Sequence, residues 1–189
     1  MHLKTICVFT RVWIIILLVS LGLWSCGASI PVTPMNISVD SPKDRLLAGV
    51  TVALQNAEED SSEYQVRTEK GQLCGCIANR RIWTDSVVKE VNKGLKNRSS
   101  RIAENSHLIV SMAMPKIGCA AMPASMMFYI IVQVTAGSGW NKTYQGEGAA
   151  SSFGGGKRMV TTAVERSLSD AVMHILTDEE FLSILKSGR

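Results

Sequence analysis

The chain has 189 residues, with 20 Lys and Arg against 16 Asp and Glu, a formal charge of +4 and 46% hydrophobic residues. That length suits one domain with a core large enough to fold without obligatory crosslinks. Two of the basic residues, Lys4 and Arg11, lie ahead of or inside an N-terminal apolar run; without them 18 bases face 16 acids, a balance of about +2 that does not suggest nucleic acid or an anionic surface as a partner.

The first predicted element is that N-terminus. A weakly basic start to Arg11, the uncharged stretch Val12 to Leu23 and small residues behind it predict a secretory signal peptide over residues 1–25. The run from Val12 to Trp24 has 13 residues, short of the roughly 20 that span a bilayer as a helix. It closes on Leu23-Trp24-Ser25-Cys26, which resembles a bacterial lipobox with an unusual middle residue. The resemblance implies that Cys26 carries acyl chains such as palmitate and becomes the first mature residue. Ordinary signal peptidase cleavage after Ala28 is the competing reading. Several acyl chains together anchor a protein stably, at about 0.8 kcal/mol per buried methylene. Gly27, rather than an aspartate, follows the cysteine, and in lipoproteins of this kind that implies an outer-membrane address facing the periplasm.

Residues 26–46 contain Pro31, Pro34 and Pro42 among serines and threonines and read as an extended tether, with the domain at residues 47–189. Val50, Val52 and Leu54 alternate with Thr51, Ala53 and Gln55, which predicts a half-buried strand. Glu58 to Glu63 reads as a solvated acidic loop, and Leu73 to Ala78 as a short extended piece. Trp83, Val87, Val88, Val91 and Leu95 share one helical face. Thr84 or Asp85 is the expected cap, and Lys93, Lys96 and Arg98 favour the negative end of the helix dipole.

Three strands are expected next, His107 to Met114, Met126 to Thr135 and Trp140 to Ala150, the last two turning at Gly137-Ser138-Gly139. Val160, Ala163, Val164, Leu168, Ala171, Val172, Ile175 and Leu176 predict a long helix, and Glu179 to Lys186 a short final one. The order implies an α+β fold: a mostly antiparallel sheet packed by two longer helices and a short C-terminal helix.

The candidate chemistry is sparse. Gly154-Gly155-Gly156-Lys157 fails the phosphate-loop pattern, because Ser151 stands where that loop needs its first glycine and Arg158 where it needs Ser or Thr. His107 and His174 lack metal-ligand spacing, and no Gly-x-Ser-x-Gly elbow occurs. No catalytic residue, metal or cofactor is therefore expected. Met112, Met114, Met122, Met126 and Met127 surround Pro115 to Pro123 and read as core filling or a pliable loop. Beyond Cys26, the cysteines Cys74, Cys76 and Cys119 are disulfide candidates in an oxidising compartment. Their odd number leaves one thiol over. Strand geometry disfavours a Cys74–Cys76 bond, so Cys119 is expected to pair with one of the two.

Gly49-Val50-Thr51-Val52, the helix from Thr84 to Asn97, the Ile/Val-rich hairpin before Tyr144-x-Gly146, Ala163-Val164-Glu165-x-x-Leu168-Ser169-Asp170 and Phe181-Leu182 fall in an order that resembles the YajG-type family of small bacterial envelope lipoproteins. The resemblance covers most of residues 26–189; Cys74, Cys76, Cys119 and the Met-rich turn depart from it. It implies a non-enzymatic outer-membrane lipoprotein, held to the membrane by its N-terminal lipid and serving other envelope proteins in transport, secretion or assembly. The alternative is a periplasmic module that binds a small ligand, lipid or glycan. A pocket lined by the Met-rich turn and Trp140 would favour that alternative, and a solid core there would count against it.

Overall fold

The structure, a computed structural model, describes residues 29–34, 37, 39, 40, 43, 46–122, 125–137, 139–151 and 156–188; the signal peptide and Cys26 lie outside them. In chain order the elements are β1 (Ile30–Pro31), β2 (Thr51–Asn56), β3 (Glu63–Arg67), β4 (Leu73–Asn79), α1 (Arg80–Asn97), β5 (Arg101–Ile102), β6 (Ile109–Met122), β7 (Ser125–Ala136), β8 (Trp140–Ser151), α2 (Gly156–Thr177) and α3 (Glu179–Ser187).

The class is α+β, but the sheets are mixed rather than mostly antiparallel. One sheet runs β5-β2-β6-β7-β8, with β2 parallel to both β5 and β6 and the last three strands antiparallel. The other runs β1-β4-β3, with β1 parallel to β4. The parallel pairs follow from the path of α1, which lies antiparallel to β2. Asn56, ending β2, donates to the Arg81 carbonyl at the start of α1 at 2.9 Å. Leu47, ahead of β2, donates to the Arg98 carbonyl just past the helix end at 3.1 Å. The chain is thus returned to the beginning of β2, and strands that start there must run parallel to it.

Two elements are longer than their sequence patterns predict. Helix α1 begins at Arg80, and its cap is Asn79, whose side chain accepts the Ile82 N–H at 3.0 Å. Thr84 is instead fully buried inside the helix, and Asp85 accepts from Asn56 at 2.7 Å. The last residue of β4 caps the helix directly, so no linker marks the junction. Strand β6 passes through Pro115 to Met122, because a bulge between Ala113 and Lys116 absorbs one extra residue there. A proline without an N–H is tolerated in a strand at such a bulge.

Helices and the five-stranded sheet enclose one core, which Phe128, Ile130, Val132 and Val134 of β7 share with Trp83, Val87 and Leu95 of α1 and Val164, Leu168 and Ile175 of α2. Burying each such side chain stabilises by roughly 1.5–3 kcal/mol. Over β8, α2 lies unusually close. Its small residues Ala163, Ser167 and Ala171, one per turn, face Gly146 and Gly148, where an added Cβ would fall 2.1 Å from the carbonyl oxygens of Ser167 and Ala163 respectively. This approach lets α2 cover the open edge of the sheet. Arg166 donates to the Ala149 carbonyl (2.5 Å), Asp170 accepts the Glu147 N–H (2.9 Å) and His174 Nδ1 bonds the Gln145 carbonyl (2.8 Å). Three side chains at helical spacing thus satisfy alternate residues of an edge that would otherwise template another strand.

The described part of the expected tether is docked. Ile30 and Pro31 pair with Cys76 and Ile77, and Val32 donates to the Ile77 carbonyl at 3.2 Å. The Val32 carbonyl accepts the indole N–H of buried Trp83 at 2.8 Å, and Val32 and Ile37 join the core.

Candidate functional site

The cysteines bring the two sheets together. Cys74 on β4 is bonded to Cys119 on β6, with their Cα atoms 6.3 Å apart. The bridge closes a loop 45 residues in sequence separation, which a chain-entropy treatment values at about 4 kcal/mol. Cys76 is the thiol left over. It is fully buried, and desolvation pushes its pKa up to about 12, which leaves almost no reactive thiolate near neutral pH. Cys74 and Cys76 are both buried, on either side of Gly75, whose φ of +66° lies where β4 loses register with β3.

Beside the bridge lies a surface groove of about 430 Å³ between the β3–β4 turn and the outer face of the β6–β7 hairpin. Glu69, Lys70 and Gln72 line one side, and Cys119, Met127 and Tyr129 the other. The Tyr129 ring lies over its cross-strand partner Gly118, where an added Cβ would fall 2.1 Å from the ring. Lys116 Nζ sits 5.3 Å from the same ring's centroid, in cation–π reach. The even-numbered residues of β7 from Phe128 to Ala136 are buried, whereas Met127, Tyr129 and Ile131 on the other face are only half-buried. The helices share the core with the opposite face, which carries Phe128, Ile130, Val132 and Val134. A second, open cleft of about 400 Å³ lies on α1, lined by Lys89, Lys93 and Lys96 with Asn92 and Asn97.

The remaining polar cluster is a latch. Lys142 on β8 reaches Asp178 at 2.9 Å and Glu180 at 2.7 Å, and Trp140 donates its indole N–H to Glu180 at 2.9 Å. The Tyr144 hydroxyl donates to Asp178, which also caps α3 by accepting the Glu180 N–H at 3.1 Å. Trp140 stacks on Phe181 with centroids 5.9 Å apart. Burial, then the bond to Asp178, pushes the Tyr144 hydroxyl well up. Burial raises the Asp178 pKa, but its bonds to Tyr144, Lys142 and the Glu180 N–H outweigh this and hold it below the usual value of 3.8. A depressed carboxylate contributes stability that is fully present above its unfolded pKa and is lost as pH falls through the folded one. On acidification α3 should therefore loosen from β8 below about pH 4, seen as a change in Trp140 fluorescence. Asp178→Ala should remove that step and cost roughly 1–2 kcal/mol at pH 7; an acid transition identical in the variant would refute the latch.

The residues singled out from sequence are not gathered into one site. Met112 and Met114 are core residues, Met126 and Met127 are half-buried on β7, and the Met122 side chain lies outside the described residues. Trp140 is taken up by the latch, ten residues along β8 from Ala150, the partner of Met126. His107 is exposed ahead of β6, and residues 152–155 of the glycine-rich loop lie outside the described residues. Among the described residues, no group of three or more His, Cys, Asp or Glu is placed to hold a metal ion, and no helix is long and apolar enough to cross a membrane. The groove itself escaped sequence reading, because it joins residues some 50 positions apart.

No protein-family model and no curated protein sequence matches the chain. Solved structures do share its fold. A Xanthomonas campestris protein of the DUF330 family superposes with a TM-score of 0.60 at 12% identity, over 85% of this chain and 99% of that one. A Helicobacter pylori protein, described as a candidate homolog of a neuraminyllactose-binding hemagglutinin, gives 0.50 at 7% identity over 82% and 100%. A candidate lipoprotein of Caulobacter crescentus gives 0.42 at 11% identity over 58% and 86%. For the first two, at 12% and 7% identity, the likeness is one of fold alone.

Proposed function

We propose that the chain is a lipid-anchored, non-enzymatic accessory protein of the bacterial envelope, related to the YajG-type lipoproteins and facing the periplasm from the outer membrane. The observation that carries the reading is the junction Leu23-Trp24-Ser25-Cys26 behind an uncharged run. The fold supports it in a second way: the described ionic and hydrogen-bonded clusters hold α3 to β8 and α2 to the sheet edge, which are structural tasks. The α1 lysine cleft leaves surface for protein partners.

Metabolic labelling with a fatty acid should mark the wild-type protein and not Cys26→Ala; label retained in that variant would refute lipidation. In-cell crosslinking should trap a defined envelope protein, and a clean monomer in every condition would sink the accessory role. The ligand-binding alternative is less well supported, since Trp140 is engaged by Glu180 and Phe181, ten residues along β8 from the partner of Met126.

A further inference from the structure

The docking of residues 30–34 bears on how such a protein would stand on its membrane. We infer that the end of the molecule formed by the β3–β4 turn and the Met127–Tyr129 groove lies against the lipid headgroups, with the lysine cleft of α1 turned away; this rests on lipidation of Cys26.

The reach of the chain carries the inference. Cys26 precedes Ile30 by four residues, and an extended chain covers at most about 3.6 Å per residue, so their Cα atoms are within about 14 Å. The headgroup layer is roughly 5–8 Å deep on each side of the hydrocarbon. An acylated Cys26 at that layer therefore holds β1 close to it. The direction of approach is also set. Strand β1 runs parallel to β4 with Ile30 opposite Cys76, so the chain arrives from the side of Leu73. Leu73 lies nearer the membrane than Cys76 by up to about 7 Å, since the bulge sets the four steps from Leu73 to Ile77 against two of β3, which is within the available reach. It is a large apolar residue left 49% exposed.

The β6–β7 hairpin closes at the same end. The bridge from Cys74 places Cys119 beside the start of β4, and β6 ends three residues later at Met122 while β7 begins at Ser125. From residue 117 to residue 127 the sequence carries no charge. The chemistry there suits a headgroup zone: Leu73, Met127 and the Tyr129 ring, with Lys116 over the ring and the exposed pair Glu69 and Lys70 on the turn. Apolar and aromatic groups with cations beside them partition to that boundary. Glu58, Glu59, Asp60 and Glu63 lie toward the other end of β3, where Glu63 pairs with Asn79 and Arg80 and Arg81 begin α1. Because α1 runs antiparallel to β2, and so to β6, Lys93 near its end lies away from the hairpin tip by roughly 40 Å, the length of β6.

The full-length lipoprotein, its acylation verified by intact mass, would be reconstituted into phosphatidylethanolamine–phosphatidylglycerol vesicles carrying headgroup spin labels. An environment-sensitive fluorophore would be attached in turn at Lys70→Cys and Lys93→Cys, both exposed positions, with Cys76 shielded in the core. Quenching several-fold stronger at position 70 than at 93 is expected. Equal quenching, or stronger quenching at 93, in an acylated protein would overturn this orientation and leave the lipid anchor standing. A protein that carries no acyl chain would overturn both.

Discussion

Replacing Gly148 by valine should lower the unfolding free energy by about 3 kcal/mol or more and Tm by roughly 6–12 °C. The reason is the contact between β8 and α2. A Cβ at Gly148 would stand 2.1 Å from the Ala163 carbonyl oxygen and 2.3 Å from the Ser167 nitrogen. These are backbone atoms of a helix, so no side-chain rotation relieves the clash. The helix must lift, and lifting it also withdraws Arg166, Asp170 and His174 from the edge of β8. Both the packing and the edge protection would be lost together, so aggregation should accompany destabilisation. Gly148→Ala is the sharper test, because its single methyl already meets both atoms. Gly156→Ala, with nothing within 4 Å of the added carbon, is the matched control and should be near neutral. Chemical denaturation in which Gly148→Ala stays within about 0.5 kcal/mol of wild type would show that α2 does not ride so low on the strand.

The parts of this architecture that were legible in the sequence are those written locally. The stripe from Val160 to Leu176 and the alternation from Met126 to Thr135 each bury one face, and both elements form where their patterns lie. Parallel pairing of β2 with β5 and β6 is not written in either strand, because alternation reports which face is buried and not the direction of the neighbour. Pro115 reads as a stop, yet a bulge carries β6 past it. β3 was hidden in a polar run, since only Val66 of its five residues is buried. The glycine contact offers a signal that could have been read: Gly146-x-Gly148 on a strand, and Ala163, Ser167 and Ala171 spaced by four on the following helix. The groove offers none, because it exists only once the Cys74–Cys119 bridge and the β3–β4 turn are in place. The prolines at 31 and 34 suggested a free tether because the docking of that segment depends on Val32 and on Trp83, which lies 51 residues away.

Trp83→Ala should cost about 3–5 kcal/mol, the range for removing a fully buried large aromatic side chain. Its more telling effect concerns the segment in front of the domain. The indole N–H is the partner of the Val32 carbonyl, and its removal leaves β1 with the short Ile30–Pro31 pairing and the Val32–Ile77 bond. Amide exchange at Val32 should therefore accelerate well beyond the general loss of stability. Trp83→Phe separates the two effects, since it keeps most of the ring volume and loses the donor; it should cost roughly 1–3 kcal/mol and still accelerate Val32. Unchanged exchange at Val32 in Trp83→Phe would show that the indole is not what holds the segment. The consequence for the anchor follows from chain length. With residues 30–37 released, the stretch between Cys26 and the buried Leu47 grows to 21 residues, whose extended reach is about 70 Å. That exceeds the roughly 40 Å length of β6, so the lipid could no longer choose which end of the domain meets the headgroups. In reconstituted Trp83→Phe protein the difference in quenching between probes at positions 70 and 93 should shrink while acylation stays intact. A difference as large as in the wild type would mean that the apolar end seeks the bilayer by itself and that the docked segment does not set the orientation.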